Sequence, residues 1–146
     1  VTFGQQENAF ISNSEVLLRT YERQCFEITN AFRVAHQRPS VDWSQEAATV
    51  ALGHATDMAL RNYFDHFSPE GEGPLDRMNN AGLFVQKVTE NCAAGYPDAI
   101  QVLKGWVESN SHRTGMLETN SLLGVGAYYH GASQYRYYMV QNFITP

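Results

Sequence analysis

The feature that most constrains this 146-residue chain lies near its C-terminus. In "LLGVGAYYH", Leu123, Val125, Ala127 and Tyr129 alternate with Gly124, Gly126 and Tyr128, the two-residue period of a strand. "YRYYMVQNFI" follows, equally rich in β-branched and aromatic residues, and "GASQ" between the two reads as the turn of a hairpin. Both glycines fall on one face of the first strand. That face leaves room for another element to sit close against the backbone.

Helices supply the candidates. From Ser14, after a mixed polar stretch read as an arm over residues 1–13, Leu18, Tyr21, Cys25, Ile28, Phe32 and Ala35 form one helical stripe. Pro39 in "HQRPSVDW" makes the turn that follows. Ser44 is placed to cap a second helix, with Glu46 near its positive end. The apolar face of that helix is Ala48, Leu52, Ala55 and Ala59, small residues that permit close approach, with His54 just off its centre. "HFSPEGEGP" breaks all periodicity and reads as a loop. Pro74 then opens a short helix, "PLDRMNNAG", which Gly82 ends. "LFVQKVTENCAAG" reads as extended, and "PDAIQVLKGWVESNSHR" as one helix with Ala99, Leu103 and Trp106 on its inner side. No repeat or second domain interrupts residues 14–146. The expected class is α+β, helices layered on a small antiparallel sheet.

The net charge of −5 and the lack of a Lys/Arg cluster argue against a nucleic-acid partner. No run of 18 apolar residues is present, so no membrane span is expected. The chain begins at Val1 rather than methionine, and the lack of an apolar leader therefore carries no information on secretion. Two cysteines, Cys25 and Cys92, permit one disulfide, but Cys25 lies within the first helical stripe and is equally well read as a buried thiol.

Three polar residues sit where periodicity fails: His66 in the Pro/Gly loop, Glu90 in the extended stretch, and His112 at a helix end. They are too far apart in sequence for a local metal motif, so only the tertiary fold would unite them. Two imidazoles and a carboxylate suit a zinc-like ion with a position left for water or ligand. A hydrolase needs a nucleophile, and Ser68, Ser109, Ser111 and Cys92 are near these histidines, yet none lies in a recognised nucleophile motif. His54 is read as packed or hydrogen-bonded, His36 and His130 as exposed, and Trp106 as core.

The ordered blocks "NAFR", "AATVALGHATDMALRNYFDHFSPEGEGPLDRMNNAG", "TEN" with "AAG", "GWVESNSHR", "LLGVG" and "VQNF" resemble the CAP superfamily of cysteine-rich secretory, antigen-five and pathogenesis-related proteins. The likeness is greatest to its bacterial SCP-like extracellular branch and covers roughly residues 22–143. The resemblance implies a three-layer α-β-α sandwich with a central antiparallel sheet. It also implies a cavity lined by two histidines and acidic residues, which in some members holds a divalent metal. Matched position by position, its histidines are His66 and His112 and its glutamate is Glu90, followed by Asn91; Ser68 and Glu108 complete the expected cavity. Two positions depart from the pattern. Thr89 replaces the usual glycine before the glutamate, which puts the local backbone in question, and Cys92 replaces an aliphatic residue. A second glutamate common in the superfamily is Ser109 here, and Glu108 stands one residue early, about 100° away around a helix.

Three readings follow. The first is an extracellular or cell-surface, non-catalytic binding module with an unknown lipid, cell-wall or protein ligand, and with a divalent metal, zinc best, held weakly or not at all on His66, Glu90 and His112. The second is a metal-dependent or serine-type hydrolase using the same cavity. In the third, the polar triad only ties the fold together and binding takes place elsewhere on the surface.

Overall fold

The computed structural model describes residues 3–119 and 122–146, the side chains of residues 3–14 excepted. Helix α1 spans Phe3–Ala35, so helical backbone starts before the stripe that opens at Ser14. A two-residue strand β1 (Asp42–Trp43) leads into α2 (Gln45–Arg61), followed by α3 (Pro74–Asn80) and strand β2 (Lys87–Ala94). Helices α4 (Ala99–Glu108) and α5 (Asn110–Met116) precede the hairpin β3 (Leu122–Tyr129) and β4 (Tyr137–Thr145). The sheet order is β1-β3-β4-β2. The three long strands are antiparallel, as expected, and β1 adds a short parallel rung on β3 that two residues could not announce in sequence.

Helices cover both faces. On one, α1 and α4 pack Tyr21, Cys25, Val102, Leu103 and Trp106 against Leu123, Val125 and Ala127. On the other, α2 and α3 pack Ala51, Ala55, Met58 and Met78 against Cys92, Val140 and Ile144. The hairpin glycines explain how close α2 lies. A Cβ on Gly124 would stand 2.1 Å from the Ala48 nitrogen, and one on Gly126 would stand 2.1 Å from the Leu52 nitrogen. Ser44 caps α2 as expected, its hydroxyl accepting from the Ala47 N–H at 3.1 Å.

One expected element is corrected. The helix read across residues 97–113 breaks at Ser109, whose extended backbone (φ −96°, ψ 120°) caps both α4 and α5. Tertiary packing reinforces the break. The Asn91 side-chain amide donates to the His112 carbonyl at 3.1 Å, and Gly115 packs against Thr89 and Asn91, so α5 is drawn onto β2. Thr89 itself stays in the regular β2–β4 ladder opposite Phe143. Cys25 and Cys92 are both buried free thiols, packed on opposite faces of the sheet.

Candidate functional site

Strand β2 is an edge strand, and the polar residues gather around its free edge. Glu90 and Cys92, two residues apart, project toward α2, whereas Asn91 projects to the α5 side. The Pro/Gly loop closes over the first side. It is pinned by His54, whose Nε2 donates to the Asp65 carbonyl at 2.8 Å, and by Arg77, whose Nη1 donates to the carbonyls of His66 and Glu72 at 2.9 and 3.0 Å.

Glu90 is the hub. Its side chain is 2% exposed, with Oε1 accepting from His66 Nδ1 at 2.9 Å and Oε2 accepting from Arg77 Nη2 at 2.8 Å. Burial pushes the carboxyl up, but the His66 hydrogen bond and the Arg77 charge outweigh it and hold Glu90 below the usual carboxylate range. The same hydrogen bond raises His66 above the ordinary imidazole value against the opposing effect of burial. Cys92 Sγ lies 3.3 Å from Glu90 Oε1 and 3.7 Å from His66 Nδ1. Burial first, and then the neighbouring carboxylate, push its thiol well up.

His112 approaches from α5. Its Nδ1 pairs with the Ser109 hydroxyl at 2.8 Å, a contact that the break at Ser109 makes possible. Burial, then repulsion from His66, lower its affinity for a proton, so His112 is held neutral. His66, Cys92, Ser109 and His112 share the wall of a cavity of about 520 Å³, with Trp106 and Tyr96 among its other linings.

Of the residues predicted from sequence, the structure therefore brings His66 and His112 to one cavity, with Glu90 buried behind His66. It does not bring the other three there. Ser68 lines a different cavity beside α2 and α3, and its hydroxyl accepts from the Glu72 N–H. Asn91 is buried and spends its amide on His112 and Gln141. Glu108 points outward near Lys104, 3.9 Å away. Sequence reading missed Arg77 and placed His54 as a packed or hydrogen-bonded residue outside the site. His54 is indeed buried and hydrogen-bonded, but it also belongs to the cluster. His54, Glu90 and Cys92 present ligand atoms that all lie within 4.8 Å of one another. These three could hold a metal ion, imidazole, carboxylate and thiolate being an accepted set for zinc-like ions.

The sequence pattern of the CAP family, the cysteine-rich secretory protein family, matches residues 26–143. The chain belongs to the CAP family. An extracellular SCP-domain protein of Bacillus anthracis shares 36% identity and a TM-score of 0.78 over 88% of this chain and 41% of its own. An outer surface protein of Borrelia burgdorferi shares the CAP fold at 15% identity and a TM-score of 0.72, covering 93% of this chain and 94% of its own. Among curated relatives, the uncharacterized membrane protein YlbC of Bacillus subtilis is 36% identical over 86% of this CAP chain, and the uncharacterized protein YkwD of the same organism is 34% identical over 73%. The chain spans only 34% and 42% of those two proteins' lengths. Among the described residues, no helix is long and apolar enough to cross a membrane.

Proposed function

We propose that this CAP domain is a non-catalytic binding module, working outside the cell or at its surface, whose cavity takes a ligand through a divalent metal held by His66 and His112. The observation that carries the reading is the pair of imidazoles on one cavity wall, each with Nδ1 engaged from behind, by Glu90 and by Ser109. Each ring then has Nε2 left for an ion. A carboxylate or hydroxyl fixing the far nitrogen is the usual outer support of a metal-binding histidine. Glu90 acts here as the orienting partner of His66. Zinc suits imidazole donors best, and the metal would supply a Lewis-acidic point for a ligand oxygen or nitrogen. The extracellular and outer-surface descriptions of two structural relatives support the location.

The test is calorimetric titration of zinc into metal-stripped protein, beside a His66→Ala/His112→Ala variant. Binding in the wild type that the variant loses is the expected result. Equal binding in both would refute the cavity assignment, and no binding in either would leave the polar cluster a structural tie.

The Ser109–His112 contact favours a second reading, a serine hydrolase. Yet Ser109 occupies Nδ1, where an acid would stand behind a catalytic imidazole, and caps α5 with its backbone. Its position orients His112. A purified protein that cleaves peptide or ester substrates, and stops on Ser109→Ala, would reverse this preference.

A further inference from the structure

The α2 side of β2 carries two donors that the cavity pair does not use, Cys92 and His54, beside the carboxylate that orients His66. Cys92 Sγ is 3.3 Å from Glu90 Oε1, and a ring nitrogen of His54 falls within the same 4.8 Å cluster. Donors about 2.0–2.3 Å from a zinc-like ion stand roughly 3.3–3.8 Å apart at the corners of a tetrahedron, so little movement separates this cluster from a coordination shell. His54 is 1% exposed and its Nε2–H is spent on the Asp65 carbonyl. Its lone pair is therefore on Nδ1, fixed by an outer hydrogen bond as metal-binding histidines usually are.

A second observation points to a missing polar partner on this face. Asn142 stands directly opposite Glu90 in the β2–β4 ladder and is 0% exposed, yet neither Oδ1 nor Nδ2 has a hydrogen bond. The buried Nε of Arg77, the other residue paired to Glu90, is also unpartnered. Buried polar atoms are rarely left so: the Arg77 Nε–H and the Asn142 amide N–H are donors that suit an ordered water, and the Asn142 Oδ1 is an acceptor that suits a water bound to an ion.

We propose that His54, Glu90 and Cys92 form a second, thiolate-bearing metal site, specific for a thiophilic divalent ion such as zinc, cobalt or cadmium. On binding, the Cys92 S–H bond breaks, the proton passes to solvent, and the sulfur lone pair forms the metal–sulfur bond, with no change of oxidation state. The thiolate sets the selectivity, because soft sulfur excludes magnesium, calcium and manganese in favour of zinc-like ions. The cavity wall at Cys92 provides a route in, and a cavity of about 560 Å³ lined by His54 and Arg77 reaches the cluster from the α2 side. The site shares no ligand with the cavity metal, but Glu90 would serve both, as a ligand here and as the partner that orients His66.

Cobalt(II) added to metal-stripped, reduced protein tests it, read by calorimetry and by the thiolate-to-cobalt charge-transfer band in the near ultraviolet. The wild type, Cys25→Ser and His112→Ala should all show the band. Cys92→Ser and His54→Gln should lose it and bind cobalt at least about tenfold more weakly, since loss of even an outer partner costs that much. Should Cys92→Ser not fold, the wild type and Cys25→Ser decide. Cobalt bound with no band in the wild type overturns the thiolate site and leaves the cavity reading intact. A band that persists in Cys92→Ser, or disappears in Cys25→Ser or His112→Ala, overturns it as well. Uptake of no cobalt by either measure overturns both readings.

Discussion

Glu90→Ala is the most informative single change to the metal-free protein. It removes a carboxylate that is 2% exposed and leaves Arg77, 11% exposed, facing the gap. Breaking a buried ion pair from one side costs about 3–5 kcal/mol. Arg77 keeps two carbonyl acceptors, on His66 and Glu72, so the lower end applies, about 3 kcal/mol. His66 is 46% exposed, and its lost partner adds at most about 1 kcal/mol after solvent screening. The sum, roughly 3–4 kcal/mol, corresponds to a fall in Tm on the order of 10 °C for a chain of this size. Urea unfolding with chelator present, followed by circular dichroism, measures it. Adding Arg77→Met to Glu90→Ala removes the stranded charge but also the donor to the His66 and Glu72 carbonyls, so the double variant should lose less than the two single losses added. A loss below about 1 kcal/mol for Glu90→Ala, or a double variant as poor as the two single losses added, would refute the view that Glu90 is a hub.

Other expectations follow from the same geometry. Gly126→Ala drives a Cβ into the Leu52 backbone and should cost at least about 3 kcal/mol, whereas Gly53→Ala, with nothing within 4 Å, should gain about 0.5–1 kcal/mol; thermal melts of the pair check both. The His66–Glu90 pair should stabilise the fold within a pH window. The raised His66 contributes fully below its unfolded value of 6.5 and loses that contribution as pH rises through its folded value, while the depressed Glu90 contributes above 4.5 and loses it as pH falls through its own folded value. The advantage of wild type over His66→Gln in urea titrations should therefore be largest between 4.5 and 6.5 and shrink in alkali; an advantage that grows toward alkaline pH would contradict the assignment. His112, held neutral, acts in the opposite sense as pH falls. Ser109→Ala should weaken zinc binding about tenfold, as loss of an outer-shell support does, without abolishing it; calorimetry distinguishes this from the complete loss expected of His112→Ala.

Much of this fold was legible in sequence because its signals are local. The stripe from Leu18 to Ala35, the cap at Ser44 and the glycine alternation in β3 each carry their own physical cause. What escaped reading depends on contacts distant in sequence. The local signal at Ser109 is weak, a Ser109-Asn110-Ser111 run of cap-favouring residues with no proline or glycine, and Asn91 and Thr89 on β2 reinforce the break from outside. Arg77 looks like any charged residue of a short surface helix, and only the loop carbonyls and Glu90 show it to be half the ionic core of the site. The family resemblance supplied the order His66, Glu90, His112. It offered no hint that the carboxylate would sit behind one imidazole, or that Cys92 and His54 would meet it from the sheet and from α2.

The glycine seat beneath α2 has a mechanical consequence. With Ala48 and Leu52 lodged over Gly124 and Gly126, the helix can neither slide by a residue nor roll without its backbone striking β3. The contact works as a detent with one stop. His54, two residues past Leu52, inherits that indexing, and so its distance from Glu90 and Cys92 is set by the same sheet that carries them. Any swap of the glycines for larger residues would therefore show up as lost alignment in the cluster before it showed up as lost structure.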